Sequence, residues 1–298
     1  MGLAAAQPAI IRAVRRWPAA PATDARRDNG AMNPIDFDLA RAELAAARRD
    51  ARAITHWPPA RIPTDLAEAY RLQAAVASDL GTVGGWKVAA VTPAQRESLG
   101  VPLPIAGALL APWMHDARAA RPALSAARFI APKLECEFAF ELARDLPPRP
   151  DRPYSRDEVS AAIASLRIAV EIVDSRLPRG LGALAEITDA FNNGAFVAGP
   201  AIVDWHALDL GRIEIVLTRG QRGAHDEVAR GSGQAILDGD PFGTVVLLAN
   251  APADAARGLV AGTIVTTGSC TGAPLLPGAG DYRAEFAGLG SVEFRFAA

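Results

Sequence analysis

The sequence predicts an α+β protein, a mixed-β domain preceded by helices, and three observations carry this prediction. Many short apolar runs separated by Gly and Pro follow residue 81, which is typical of strands joined by turns. Helix-favouring stretches are few, and the two longest precede that residue. No internal repeat is visible. We therefore expect a disordered tail over 1–33, a helical region over 34–80 and one mixed-β domain over 81–298.

Two helices are predicted in the N-terminal region and one near the C-terminal end. The Ala-rich stretch from Asp38 to about Ile54 strongly favours a helix. A second helix is expected from Thr64, a plausible N-cap, to Leu80, with a glycine as its stop. A short helix is expected to begin near Pro241, because proline suits the first helical turn.

A further helix is predicted after Ser155. Ser155 and Glu158 have the spacing of a capping box, in which each side chain bonds to the other's backbone amide. Val159, Ile163 and Leu166 then recur at helical spacing, so we expect them to mark one helix face.

The strands are predicted from β-branched and aromatic runs bounded by Gly, Pro or charged residues. The run over 168–174 holds so many apolar residues that we expect it to be buried. The predicted strands in chain order are WKVAAV, ARFIAP, LECEFAFEL, IAVEIVD, GAFVAGPAIV, RIEIVLTRG, GTIVTTG, DYRAEFAG and SVEFRF.

Composition excludes some function classes. The formal charge of -2 and the pI near 6.1 offer no general attraction for nucleic acid or an acidic membrane, so a small-molecule partner is expected. No apolar run approaches the roughly 18 residues of a membrane span. The two cysteines, Cys136 and Cys270, make neither a disulfide framework nor a zinc cluster, and they favour a cytoplasmic location.

The segment KLECEFAFEL raises the question of what its acidic face contacts. Glu135, Glu137 and Glu141 fall on one face of an extended strand, because strand side chains alternate with a period of two. Two carboxylates at i and i+2 can converge on one cation, and hard ions such as Mg²⁺ prefer oxygen ligands. A solvated strand face is an equally open interpretation at this point.

Glu171 favours a bound cation, because it lies inside the apolar run Ile168–Val173. Burying a carboxylate without a partner costs roughly several kcal/mol, so Glu171 requires a partner. Arg176 is one candidate partner and a metal ion is another. Lys87, in the apolar segment GGWKVAAV, is a desolvated acid-base group, a fixed positive charge, or a lysine at a strand end whose ammonium reaches solvent.

Two loops contain polar groups that suit either a turn or a binding site. Asp189, Asn192 and Asn193 lie in ITDAFNNGAF, where Asn and Gly favour left-handed backbone. The segment from Thr266 to Ser269 offers hydroxyls and backbone amides that can bind a carboxylate.

These motifs, taken in order, resemble the fumarylacetoacetate hydrolase superfamily, in its branch of 2-keto-4-pentenoate (2-hydroxypentadienoate) hydratases and 4-oxalocrotonate decarboxylases. The resemblance runs from about Ile54 to the C-terminus. It is carried by GWKVA, LGVPLPIAGAL, PKLECEFAFEL, VEIVDSR, DAFNNGAFVAG, GDPFGTVVLLAN, GTIVTTGS and GAGDYRAEFAGLGSVEFRF.

The resemblance implies a mixed β roll with peripheral helices, assembled into homo-oligomers, and a catalytic lysine beside a metal ion. Lys87 is the implied catalytic residue. The implied ligands of Mg²⁺ or Mn²⁺ are Glu135, Glu137 and Glu171. The predicted substrate-binding residues are Asp189, Asn192, Thr267, Gly268 and Ser269.

The implied activity is that of a metal-dependent lyase, a hydratase of 2-hydroxy-2,4-dienoates in the catabolism of aromatic compounds. The substrate would be a small 2-oxo acid. Two alternatives stay open: a 4-oxalocrotonate-type decarboxylase and a non-catalytic oligomeric ligand binder. Two positions depart from the family pattern: Ile105 and Ala106 replace an Asp-aromatic pair, and Asp189-Ala190 replaces an Asp-Asn pair.

Overall fold

The structure, a computed structural model, describes residues 31–118, 120–221, 224–251 and 259–298. The helices in this part of the chain are α1 (Pro34–Asp50), α2 (Leu66–Leu80), α3 (Pro93–Leu99), α4 (Arg156–Ser160), α5 (Ala183–Thr188) and α6 (Pro241–Ala249). The strands are β1 (Val83–Ala89), β2 (Ile105–Leu110), β3 (Met114–Asp116), β4 (Ala123–Ser125), β5 (Lys133–Leu142), β6 (Ile163–Val173), β7 (Asn193–Ile202), β8 (Glu214–Gln221), β9 (Ala224–Ser232), β10 (Ile264–Thr266), β11 (Gly280–Phe286) and β12 (Gly290–Ala297).

These strands form two mixed sheets. One sheet has the order β2-β1-β10-β5-β6-β7-β3, and the other has the order β4-β12-β11-β8-β9. Most neighbours are antiparallel, but β1 runs parallel to β10, and β3 runs parallel to β7. Strands β5 and β6, ten and eleven residues long, pair along their whole length at the centre of the larger sheet. Their register decides which side chains meet on the polar face of β5.

The main core lies between the two sheets. Phe138 on β5 packs edge-on against Phe286 on β11, with ring centroids 5.6 Å apart. Cys136 and Phe140, which alternate with the glutamates of β5, are also fully buried. The apolar half of KLECEFAFEL therefore builds the core, as its period of two predicts.

Helices α1 and α2 cover the other side of the larger sheet with a second apolar cluster that includes Leu44 and Leu72. Helix α1 begins four residues before the predicted start, because Asn33 caps it and Pro34 occupies its first turn. It ends at Asp50, since Ala51 takes a left-handed conformation with φ 49°. The prediction of a helix is confirmed, but its ends are shifted.

The start of α2 differs from the prediction by one residue. Asp65, rather than Thr64, is the N-cap, and its carboxylate accepts a hydrogen bond from the Glu68 amide at 2.8 Å. The predicted stop is confirmed, since Gly81 follows the last helical residue with φ 145°.

The predicted tail lies mostly outside the described residues. At its end, Met32 is buried in the helical cluster, and its backbone amide donates to Glu68 Oε1 at 2.9 Å. The division into a tail, a helical region and a mixed-β domain stays a prediction. None of the described helices is long and apolar enough to cross a membrane.

The predicted helix face of Val159, Ile163 and Leu166 is wrong. The capping box of Ser155 and Glu158 is confirmed, but α4 ends at Ser160. Ile163 and Leu166 belong to β6, because continuous pairing with β5 outweighs an apolar spacing that fits a helix equally well.

The predicted strand ARFIAP is also absent. The segment starts with a 3₁₀ turn, Ala126–Arg128. The amides of Ile130 and Ala131 then donate to the Asp174 carboxylate at 3.0 and 2.8 Å instead of to a neighbouring strand. The other predicted strands and the helix at Pro241 are confirmed.

Candidate metal centre

Two adjacent strands bring three carboxylates together. Glu135 and Glu137 lie on the same face of β5, and Glu171 on β6 lies directly opposite Glu135 in the sheet register. One carboxylate oxygen from each residue lies within 4.8 Å of the other two. Glu137 and Glu171 are fully buried, whereas Glu135 is partly exposed. The predicted trio is thus one compact cluster that opens on the side of Glu135.

Each of the two fully buried carboxylates has one oxygen held by the protein. The Gly268 amide donates to Glu137 Oε2 at 2.9 Å, and Asn193 Nδ2 donates to Glu171 Oε1 at 3.0 Å. Glu137 Oε1 and Glu171 Oε2 accept no hydrogen bond from any residue that the structure describes. A buried carboxylate oxygen without a donor is costly, so a cation would satisfy both atoms.

Lys87 lies beside this cluster on β1 and is buried. Its Nζ lies 3.5 Å from Glu171 Oε2 and donates to the Phe191 carbonyl oxygen at 3.3 Å. The ammonium also lies 5.4 Å from the centroid of the Phe191 ring. Its ammonium therefore does not reach solvent, and an acid-base role for Lys87 stays a prediction.

The electrostatics of the cluster are those of crowded carboxylates with one cation. Burial raises the pKa of Glu137 well above its usual value, and the charges of Glu171 and Glu135 raise it further. Burial also raises the pKa of Glu135, to about 7, although Lys87 opposes this shift. Burial alone lowers the pKa of Lys87, but the three carboxylates outweigh burial, so its pKa is raised.

A strained turn positions the Phe191 carbonyl against Lys87. Three successive non-glycine residues, Ala190–Asn192, have φ values of 50°, 47° and 65°, and such left-handed backbone costs about 1–3 kcal/mol per residue. The turn lies against β2 at Gly107, where a Cβ atom would be 2.2 Å from the Ala190 carbonyl oxygen. Only glycine permits this approach, so Gly107 is part of the site's construction.

The structure places the predicted loop of Thr267, Gly268 and Ser269 beside the cluster. The Thr267 hydroxyl donates to the Phe138 carbonyl at 3.1 Å and is buried, while the Gly268 amide holds Glu137. The Ser269 hydroxyl is in the partly exposed part of the loop and donates to the Gly272 carbonyl at 2.6 Å.

Asp189 and Asn192 have different surroundings from each other. Asp189 is buried and is held by Arg176, whose Nη2 lies 2.7 Å from Asp189 Oδ1. Arg176 is therefore not the partner of Glu171, and that candidate pairing is wrong. Asn192 Oδ1 is buried and has no hydrogen-bond partner among the described residues, so it is the better placed of the two to meet a ligand. Substrate binding by either residue stays a prediction.

Sequence reasoning missed three contributors to the site. The sequence presents Asn193 as part of a turn or a binding loop, with no link to Glu171, yet its side-chain amide donates to that carboxylate. Arg48, from α1, hydrogen-bonds to Asn193. Its Ala- and Arg-rich sequence surroundings contain no pattern that marks it as a site residue. Glu186 on α5 is half-buried; burial raises its pKa, whereas Asn192 and Lys87 act in the opposite direction.

The donor set fits a divalent metal ion. Three carboxylates converge, two of their buried oxygens lack donors, and one side of the cluster stays open. Hard cations such as Mg²⁺ take oxygen ligands of this kind and keep other positions for water or substrate.

Curated relatives of this chain are 2-keto-4-pentenoate hydratases and 4-oxalocrotonate decarboxylases. A 2-keto-4-pentenoate hydratase of Paraburkholderia phymatum is 32% identical over 213 residues, which are 71% of this chain and 77% of the relative. A second one, from Dechloromonas aromatica, is 30% identical over 266 residues, 87% of this chain and 97% of the relative. A 4-oxalocrotonate decarboxylase of Pseudomonas putida is 26% identical and covers 71% of this chain and 76% of the relative. No family model matches the chain.

Solved structures share the fold. A 4-oxalocrotonate decarboxylase from Pseudomonas putida G7, complexed with magnesium and adipate, aligns with a TM-score of 0.77 at 23% identity, over 90% of this chain and 100% of that chain. A fumarylacetoacetate hydrolase family protein from Yersinia pestis aligns with a TM-score of 0.50 at 18% identity, over 71% and 91%. The predicted fold class, a mixed β roll with peripheral helices, is confirmed.

Proposed function

The chain belongs to the 2-keto-4-pentenoate hydratase family of the fumarylacetoacetate hydrolase superfamily, and from this premise we propose that it is a divalent-metal-dependent hydro-lyase of 2-hydroxy-2,4-dienoates. One observation carries the proposal to these particular residues. Glu137 Oε1 and Glu171 Oε2 are buried without a hydrogen-bond donor from the described part of the chain, and both face a cluster that Glu135 completes.

Glu135, Glu137 and Glu171 would hold the cation, Mg²⁺ or Mn²⁺. When bound, it would supply Lewis-acid stabilisation of the negative charge that develops on a 2-oxo acid as a proton moves. The two groups that hydrogen-bond to Glu137 and Glu171 leave one oxygen of each carboxylate free for the cation. Asn193 and Gly268 each donate to one oxygen, and the other oxygen of the same carboxylate has no hydrogen-bond donor among the described residues.

Lys87 supplies the mobile proton in this proposal. Three carboxylates keep its Nζ protonated, and the Phe191 carbonyl holds the ammonium at 3.3 Å. A buried ammonium there can stabilise an enolate and return a proton to carbon. The dienol substrate would first become the conjugated ketone, and water would then add across its carbon–carbon double bond, with OH joining the far carbon and a proton joining the neighbouring one.

The proposal also assigns the residues that bind the substrate. Asn192 presents a buried acceptor without a partner from the described ranges, and Ser269 is partly exposed at the loop beside Glu137. We place the substrate carboxylate near the loop of Thr267, Gly268 and Ser269, with Asp189 acting through its bond to Arg176 rather than by contact.

The test is a spectrophotometric assay. Purified protein with Mg²⁺ should remove the ultraviolet absorbance of 2-hydroxypentadienoate, and chelation of the metal should abolish the reaction. Glu171→Gln should be inactive under the same conditions. Mg²⁺ binding without turnover of a panel of dienoates and acylpyruvates, and without release of carbon dioxide from 4-oxalocrotonate, would favour the non-catalytic ligand binder instead.

A decarboxylase is the second candidate, favoured by relatives of that name at 26 and 28% identity. The same cluster would stabilise the enolate that forms on loss of carbon dioxide. Release of carbon dioxide from 4-oxalocrotonate, without hydration of 2-hydroxypentadienoate, would assign the chain to this reaction.

A cytoplasmic location and a homo-oligomeric state complete the proposal. Cys136 and Cys270 are both free thiols and buried, which suits a reducing compartment. Light scattering on the purified protein measures the oligomeric state directly.

A further inference from the structure

We propose that Arg48 is a positioning residue for the metal centre, acting through the side-chain amide of Asn193 on the metal ligand Glu171. This inference rests on the proposed function, because it concerns the same cluster of carboxylates. It assigns part of the site to α1, a helix that contributes no ligand.

Three hydrogen bonds join Arg48 to the start of β7. Its Nη1 donates to the Asn193 carbonyl oxygen, and its Nη2 donates to Asn193 Oδ1 and to the Gly194 carbonyl oxygen, both at 3.1 Å. Asn193 Nδ2 in turn donates to Glu171 Oε1 at 3.0 Å. Arg48 and Asn193 are buried, with 6% and 1% of their surfaces exposed, so water does not compete for these bonds.

The chemistry of the three groups determines which way the Asn193 amide faces. A guanidinium has only donors, so the amide atom that meets Arg48 must be the acceptor Oδ1. The amide nitrogen then faces Glu171, which needs a donor. Without Arg48, the amide can rotate and present Oδ1 to the carboxylate, and two acceptors would oppose each other. Arg48 therefore holds Glu171 with one oxygen bonded and Oε2 free for the cation.

An ion pair does not explain the burial of Arg48. No carboxylate of the described residues lies within ion-pair distance of its guanidinium, whereas the nearby Arg176 pairs directly with Asp189. Its other contact is the face of Trp113, with 4.7 Å from Cζ to the ring centroid. The ring holds the guanidinium plane in place, and the planar fork matches the acceptors of Asn193 as a lysine could not.

The experiment measures Mn²⁺ affinity by electron paramagnetic resonance. The proteins are the wild type, Arg48→Met, Asn193→Ala, the double variant and Arg41→Met. Arg41 lies on the same helix and pairs with Asp79 on α2, so it is a matched control that does not touch Asn193. Loss of a group behind a metal ligand typically weakens metal binding by about 10–100-fold, and we expect that range for Arg48→Met. Arg41→Met should bind Mn²⁺ like the wild type.

The double variant separates positioning from a general effect on folding. If Arg48 acts through Asn193, Arg48→Met should cause little further loss of affinity once Asn193 is alanine. Wild-type affinity in Arg48→Met would overturn the inference, and so would losses that multiply in the double variant. Unfolding temperatures measured without metal identify variants that have lost the fold.

If Arg48→Met does not fold, Arg48→Lys takes its place in the affinity measurement. It keeps the charge but cannot reach both acceptors of Asn193 in the same geometry, so weaker Mn²⁺ binding is expected and wild-type affinity would contradict the inference. The two proposals fail differently. If the wild type binds no Mn²⁺, the proposed metal centre is wrong. If the wild type and Arg48→Met bind Mn²⁺ with equal affinity, only the proposed role of Arg48 is wrong.

Discussion

The two ends of the polar face of β5 carry the same residue type in opposite circumstances. At one end, Glu135 and Glu137 converge with Glu171, and two buried oxygens of the cluster have no donor among the described residues. At the other end, Glu141 Oε2 accepts hydrogen bonds from Arg167, at 2.9 Å from Nε and 2.5 Å from Nη2. At the first end one ammonium, that of Lys87 at 3.5 Å from Glu171 Oε2, stands against three carboxylates, whereas at the second end one guanidinium pairs with one carboxylate.

The neighbouring strand accounts for this difference. Glu135 of β5 lies opposite the carboxylate of Glu171 on β6. At the other end, the β6 residue Arg167 lies opposite Ala139, two residues before Glu141 on the same face of β5. Three clustered carboxylates exceed the single positive charge of Lys87 and so favour a further cation from outside the chain, whereas the one carboxylate beside Arg167 is already matched. Residue type and strand pattern are thus equal at the two ends, and the function differs because the cross-strand partners differ.

The largest expected effect is on activity, and it distinguishes the two ends of the polar face of β5. Glu137→Gln removes one charge from the cluster but keeps an acceptor for the Gly268 amide, so the loop should stay in place. Lewis-acid stabilisation is worth several kcal/mol, so we expect turnover of 2-hydroxypentadienoate to fall by roughly 10³-fold. Glu141→Gln is the control and should keep its turnover. Equal losses in both variants would contradict the comparison.

The next effect is the stabilisation that metal confers. Mg²⁺ at about 100 times its dissociation constant should raise the free energy of unfolding by about 2.7 kcal/mol, since it binds the folded cluster. Thermal unfolding with Mg²⁺ and with chelator measures this difference. Glu137→Gln should lose most of it, whereas Glu141→Gln should retain it. A wild-type unfolding temperature that is unchanged by Mg²⁺ at any concentration would argue against a metal centre.

A pH dependence of metal affinity should follow from the same end of β5. Glu135 in the metal-free protein has a pKa of about 7, so below that pH a proton must leave before the carboxylate can bind a cation. Affinity for Mg²⁺ should therefore rise between pH 6 and pH 8, by at least about tenfold, because the raised pKa of Glu137 acts in the same direction as that of Glu135. Calorimetric titrations across this range provide the measurement. A flat profile would mean that Glu135 is already ionised.

The smallest expected effect is on stability at the arginine end. Glu141→Gln keeps an amide oxygen as an acceptor but removes the negative charge that pairs with the mostly buried Arg167, whose other acceptor is the Gly199 carbonyl at 3.2 Å from Nη1. Because Glu141 is itself partly exposed, we expect a loss of about 1 kcal/mol in the free energy of unfolding. Denaturant unfolding of the metal-free proteins measures it. An increase in stability would show that the pair is not favourable.

Local patterns predicted much of the fold. The period of two in β5, the capping box of Ser155 and Glu158, and Gly81 as a stop all act within a few residues, so the sequence alone reveals them. The predictions failed where an apolar spacing suited two structures. Ile163 and Leu166 fit a helix face, yet pairing with β5 made them a strand.

The site was predictable in its ligands but not in their support. Glu135 and Glu137 share a strand face, and Glu171 is a charge in an apolar run, so each carries a signal of its own. Arg48 lies 145 residues from Asn193 in the chain, and no local pattern links them. The bond between Arg176 and Asp189 was likewise invisible, and Arg176 was wrongly considered as a partner of Glu171.

The sequence by itself determined most of the long strands and the residue types that can hold a divalent cation, because alternation and buried charge are properties of short segments. Only the tertiary structure decided which carboxylates meet one another and which meet an arginine. The register of β5 against β6 sets Glu135 opposite Glu171, and brings Arg167 to Glu141. Electrostatic interactions depend on distance in space rather than along the chain, so the same glutamate becomes part of a metal centre or half of an ion pair.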